Sequence, residues 1–139
     1  MNILEVRNLT VINKDHSHKR KFLNSISFSL AFGQTLGIVG ESGAGKTLIG
    51  LAITKLLDPA IFKIETGHIF FKGEDIFKFE EKRLQSIRGN DISMIFQEPM
   101  LSLNPVQTVE QQLGEMIRLH LSTNQSIIKN LSEKIILQT

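Results

Sequence analysis

A chain of 139 residues, 41% apolar and 22% charged with a formal charge of +2, holds one hydrophobic core, which excludes a disordered tail, a fibrous repeat and a strongly basic nucleic-acid binder. The absence of cysteine removes disulfides, thiolate catalysis and cysteine-ligated zinc together, and it suits a reducing compartment such as the cytosol. No apolar run is long enough to cross a bilayer. Met1 to Thr10 alternates apolar and polar residues, so neither a signal peptide nor an anchor is expected.

Ile3 to Ile12 reads as a strand, and Leu23 to Leu30 alternates through Ile26, Phe28 and Leu30, with the polar stretch Asn13 to Lys21 between them. Alternation implies one solvated face, so these predict antiparallel strands of a side sheet. The linker's basic cluster (Lys14, Lys19, Arg20 and Lys21) lacks interleaved aromatics and reads as a solvated loop; no nucleic-acid partner is expected. After a turn at Phe32-Gly33-Gln34, Thr35 to Val39 is nearly all apolar and predicts a central strand covered on both faces. Lys46 to Leu57 predicts a buried helix stopped by Asp58-Pro59.

Gly67 to Lys72 predicts a strand, Gly73-Glu74-Asp75 a turn, Glu80 to Ile87 a short polar helix and Asp91 to Phe96 a second apolar strand. Thr108 and Gln111 form a capping box opening a helix through Val109, Leu113, Met116, Ile117 and Leu121. From about Ser126 the spacing repeats through Ile127, Ile128, Leu131, Ile135 and Ile136, then ends without glycine, proline or a basic last turn. There is no internal repeat. His16 and His18 read as loop histidines, and no Ser-His-Asp set or carboxylate pair stands out.

The chemistry concentrates in Gly40-Glu41-Ser42-Gly43-Ala44-Gly45-Lys46-Thr47, which satisfies G-x-x-x-x-G-K-[ST] between an apolar run and a helix. A triphosphate crowds negative charge onto closely spaced oxygens, and backbone N–H groups receive it when no Cβ stands in the way. A helix N-terminus adds unpaired amides and the positive end of the dipole, so Gly43 to Leu48 are expected to donate to the phosphates. Lys46 supplies a mobile cation for the β/γ oxygens and Thr47 a hydroxyl for Mg²⁺. Kinases, GTPases, helicases and transporters share this loop, so it alone leaves the class open.

Four stretches narrow it: "FSLAFGQTLGIVG", "GESGAGKT", "RGNDISMIFQEP" and "SLNP". Over nearly the whole chain they resemble the ATP-binding subunits of ABC transporters, in the oligopeptide, dipeptide and nickel importer group, with microcin C type peptide uptake systems closest. The resemblance implies an α/β fold: the first half of a P-loop NTPase core with an antiparallel β side sheet and the start of a helical subdomain. Residues 1–34 would be the side sheet, 35–98 the P-loop core with further side-sheet strands, and 99–139 the helical start. It implies an ATP-hydrolysing subunit that energises peptide import, binding ATP and Mg²⁺ through Gly40 to Leu48. Gln97 would be the Q-loop glutamine, contacting Mg²⁺ or the attacking water. Glu98 to Val106, with Pro99 and Pro105, would meet the inner-membrane permease. A second ATP-binding subunit would pair head-to-tail, at the cytoplasmic face of the membrane.

The chain also departs from the family. An aromatic residue that stacks adenine is expected where Ile12 and Asn13 stand, leaving Phe22, His16 and His18 as substitutes and predicting weak base contact with poor ATP/GTP discrimination. No Leu-Ser-Gly-Gly signature, Asp-Glu strand or switch histidine follows Gln97; Leu131-Ser132-Glu133-Lys134 reads as helix. A chain truncated before the signature is therefore expected, inactive alone, with the apolar edges of Thr35 to Val39 and Asp91 to Phe96 exposed. The alternatives are a non-catalytic nucleotide-binding module and a soluble ABC ATPase not coupled to transport.

Overall fold

The structure is a computed structural model describing residues 2–14, 20–98 and 102–138, and the chain divides into two compact units, Met1–Glu81 and Lys82–Thr139. His16, His18 and Lys19 lie outside the described residues, as do Pro99, Met100 and Leu101 of the segment expected to meet a permease. Among the described residues no helix is long and apolar enough to cross a membrane.

In the first unit β1 (Asn2–Asn13) pairs antiparallel with β2 (Lys21–Ala31) on one side and with β3 (Phe62–Phe71) on the other. The two-residue β4 (Glu74–Asp75) completes a sheet of order β2-β1-β3-β4. The predicted first two strands are present, each longer by one or two residues at its ends. Their inward residues Val6, Leu9, Val11, Ile12 and Leu23 are buried together with Ile69 and Phe71 of β3. The expected turn at Gly73-Glu74-Asp75 is shifted: Lys72 and Gly73 both take positive φ, as a two-residue hairpin turn requires, and Glu74–Asp75 already pair with β3. Asp75 then anchors the one-turn helix Ile76–Lys78, its Oδ1 accepting from the Phe77 N–H at 3.0 Å while Oδ2 meets His68 Nδ1 at 3.0 Å.

β3 begins at Phe62, well before the predicted Gly67, because Gly67 is a bulge inside the strand. Its φ is +101°, and a Cβ there would stand 2.6 Å from both the Asn8 oxygen and the Leu9 Cα. The β1–β3 register slips at this point, between Arg7 and Thr10. Asn8, itself at φ 49°, donates its N–H to the Ser27 hydroxyl at 2.8 Å, so the distorted backbone keeps a partner.

α1 spans Lys46–Ile53 and stops short of the predicted Leu57. Lys55 turns left-handed at φ 54°, its N–H reaching the Ala52 carbonyl at 3.1 Å and the Leu56 N–H the Leu51 carbonyl at 2.7 Å. These two bonds form a Schellman stop built without glycine, so no residue type announced it. Ile49 and Ala52 bury the inward face of α1.

Thr35 to Val39 forms no strand, which corrects the sequence expectation. A strand exists through ladder bonds to a neighbour, and this run finds none in its unit. Its side chains stand in solvent instead, Val39 at 92% exposure.

α2 (Glu81–Ile87) starts at the last residue of the first unit, and the second unit carries the rest of it with α3 (Val109–His120) and α4 (Gln125–Leu137). The predicted capping box is present, with Gln111 N–H bonded to the Thr108 hydroxyl at 3.2 Å and Thr108 N–H to Gln111 Oε1 at 2.9 Å. Asn124 caps α4 through the Ser126 N–H, and Gly114 lets α3 approach Ile128 of α4 closely. Asp91 to Phe96, the second expected central strand, is also not formed: only Ile92 enters an isolated parallel bridge, with Arg88, and Ile95 is 91% exposed.

Candidate functional site

The glycine loop lies in the first unit, between the apolar run 35–39 and α1. Ala44 N–H bonds back to the Glu41 carbonyl at 3.2 Å, Gly43 takes φ 79°, and Gly45 at φ 88° is the N-cap of α1. Two of the loop's glycines are thus required by left-handed backbone. Gly45 is required twice over, since a Cβ would stand 2.7 Å from Leu23 Cδ2 and 3.0 Å from the Phe22 carbonyl oxygen. The sequence motif assigned that glycine to phosphate approach; the structure adds that it seats the loop on β2.

The first intrahelical bond of α1 runs from the Ile49 N–H to the Gly45 carbonyl at 3.2 Å, and no side chain caps the helix. The N–H groups of Lys46, Thr47 and Leu48 therefore precede the ladder and converge where the dipole is positive. No acidic residue in the first turn neutralises that end. Lys46 folds its ammonium over the loop, donating to the Gly40 carbonyl at 2.8 Å and the Glu41 carbonyl at 2.6 Å. An ammonium has three donors, so this arrangement fixes the loop with two and leaves one. Glu41, Ser42, Gly43, Ala44 and Thr47 line the exposed side. Orphan amides, a positive dipole end and a cation fit a chain of phosphates, and the Thr47 hydroxyl is a hard oxygen ligand of the kind Mg²⁺ takes.

Gln97 belongs to the second unit, exposed at a bend, where it lines a depression of about 560 Å³ with Phe96, Glu98 and Ser102. Downstream, Gln112 of α3, which the sequence did not single out, pins the Ser-Leu-Asn-Pro stretch. Its Oε1 accepts from the Asn104 N–H at 3.0 Å and its Nε2 donates to the Asn104 and Gln107 carbonyls, each at 3.1 Å. Only the preceding Gln111 carried a readable signal, through its capping box.

The ABC transporter family model matches residues 23–138. A peptidoglycan transport ATP-binding protein, YejF, of Agrobacterium fabrum is 38% identical over 98% of this chain and 25% of its own length. A dipeptide transport ATP-binding protein, DppD, of Bacillus subtilis is 43% identical over 85% of this chain and 35% of its own. The chain thus spans between a quarter and about a third of these relatives. A solved ATP-binding cassette, a dimer in a post-hydrolysis state with ADP and Pi, is similar in fold at a TM-score of 0.75 and 18% identity, over 94% of this chain and 54% of that one. With most of its residues inside the family match and its fold shared with a cassette, the chain belongs to the ABC transporter family.

Proposed function

We propose that the chain binds MgATP on Gly40 to Leu48 and serves in the ATP-binding subunit of an importer for dipeptides, oligopeptides or related peptides. The observation that carries the reading is the uncapped N-terminus of α1, with Lys46 folded over a loop held by two left-handed glycines. MgATP, when bound, supplies the phosphoanhydride whose cleavage drives transport. Lys46 would turn its remaining N–H to the phosphate oxygens, the amides at the start of α1 and those of Gly43 and Gly45 would hold the phosphates while the Ala44 N–H stays with the Glu41 carbonyl, and Thr47 would offer its hydroxyl to the metal. Gln97 would offer an uncharged amide of the kind that meets a metal or orients water.

The peptide class is supported by the relatives, which include dipeptide and oligopeptide transport ATP-binding proteins of Bacillus subtilis. Glu98 to Val106 is the segment we assign to the permease, and within it Asn104 is held by Gln112. A second ATP-binding subunit packs head-to-tail on the first at the cytoplasmic face of the inner membrane.

Calorimetric titration with MgATP tests the site. Lys46→Ala removes charge-assisted bonds and is expected to weaken binding by roughly ten- to a hundredfold; unchanged affinity would overturn the assignment. Recovery of the full-length subunit with a membrane permease tests the transport role.

A further inference from the structure

α3 and α4 are joined by four residues and meet at Gly114, where a Cβ would stand 3.3 Å from the Ile128 Cγ2. They form a helical hairpin, so residues face each other in opposite order: Arg118 is close to level with Gln125 at the loop end, and Glu110 with Ser132 at the other. Between the helices lies a groove of about 1040 Å³, with buried Gly114, Ile128 and Ser132 at its floor and exposed Glu110, Glu115 and Arg118 on its flank. Two features of it are unused by the fold. The wholly buried Ser132 hydroxyl is the one buried side-chain polar atom among the described residues without a hydrogen-bond partner. Glu110, Glu115 and Arg118 make no ion pair with any described residue, whereas Lys129 on the opposite helix already meets Glu133 at 3.9 Å.

We propose that this groove binds a short peptide of two or three residues in its zwitterionic form. Glu110 and Glu115 hold the α-ammonium, the Arg118 fork holds the α-carboxylate, and the Ser132 hydroxyl meets a main-chain peptide group once the long side chains at the rim part. Charge of one sign at one end of α3 and of the other sign at its far end selects a ligand that carries both, against a simple anion or cation. The lengths agree: Glu115 and Glu110 lie about 4.5 and 12 Å from Arg118 along the helix axis, and the ends of an extended di- or tripeptide are about 7 to 11 Å apart. A groove of this volume suits a small molecule, and a bound peptide group ends the cost of the unpartnered hydroxyl. Glu110 and Arg118 also suit the dipole of α3, so stability does not separate that role from a ligand's, but the charges at the ligand's ends do. The site belongs to the other unit of the chain from the phosphate loop and stands whether or not that loop binds nucleotide.

Calorimetric titration of the whole chain with trialanine at neutral pH, without nucleotide, tests the site. Trialanine should bind, and trialanine acetylated at one end and amidated at the other should bind at least roughly tenfold more weakly. Arg118→Gln should remove the preference for trialanine over its amide, and Glu115→Gln the preference over its N-acetyl form. Ser132→Ala should melt above the parent without peptide, because the orphan hydroxyl is gone, yet bind trialanine several-fold more weakly. The comparison of free with blocked peptide needs no variant, so a substitution that fails to fold leaves the test intact. Equal affinity for the free and doubly blocked peptides, or no binding of trialanine up to about 10 mM, would overturn the proposal. Dimerisation of the chain in sedimentation that Arg118→Gln abolishes and trialanine does not disturb would give the groove to a second copy and overturn it equally.

Discussion

β1 and the run 35–39 are both rich in branched apolar residues, yet Leu9 and Val11 are fully buried whereas Val39 stands at 92% exposure. The difference lies in where each finds its neighbours. β1 has β2 within hairpin reach and β3 beyond α1, and both supply ladder bonds and a facing apolar side. Thr35 to Val39 leaves the sheet at the Ala31–Gln34 turn and enters no ladder. Asp91 to Phe96 behaves the same way in its own unit, with one isolated bridge and Ile95 almost fully exposed. Apolar content therefore measures a demand for cover, and only local topology decides whether this chain meets it.

The sharpest way to break the paired region is Gly67→Ala. The new methyl would meet β1 backbone at 2.6 Å on a residue held at φ +101°, and neither strand can yield without losing register. Strain and overpacking together should cost about 4 kcal/mol, read as a lower denaturant midpoint. Next in size, Leu9→Ala deletes a fully buried side chain and should cost about 3 kcal/mol, while Val39→Ser should change stability by less than about 0.5 kcal/mol. Equal losses in the two variants would show that the run 35–39 is packed after all and would end the comparison.

What the sequence disclosed divides along the same line. Alternation placed β1 and β2, the capping box placed α3, and the spacing of glycines, lysine and threonine placed the phosphate loop, because each signal is written within a few neighbouring residues. The Gly67 bulge was hidden, since a glycine inside a strand and a glycine before one look alike until the opposite strand is present. The stop of α1 was hidden because a lysine fills the left-handed position where glycine would have announced it. Gln112 and Phe22 were unreadable as supports for the Asn104 segment and the Gly45 cap for a related reason. Both act through main-chain contacts whose geometry no spacing rule encodes.

The smallest expected effect tests whether the well-paired sheet gains anything from its exposed rim. On β1, Glu5 accepts two hydrogen bonds from Arg7, Nε and Nη2 each at 2.9 Å, and Arg7 in turn lies over the Phe70 ring at 4.8 Å. The hydrogen bonds from Arg7 hold the Glu5 carboxyl below its usual range; desolvation opposes them, and the charge of Arg7 adds a smaller push downward. A carboxyl lowered in the folded state binds fewer protons there than in the unfolded chain. Its contribution is therefore present above the ordinary carboxylate pKa and is lost as pH falls through the lowered value. Glu5→Gln should melt slightly below the parent at neutral pH and level with it in acid, and added salt should narrow the neutral-pH gap because the pair is open to solvent. A gap that persists in acid would mean that Glu5 acts through packing, and the rim would then belong with Leu9 and Gly67, where shape decides stability, rather than with charge.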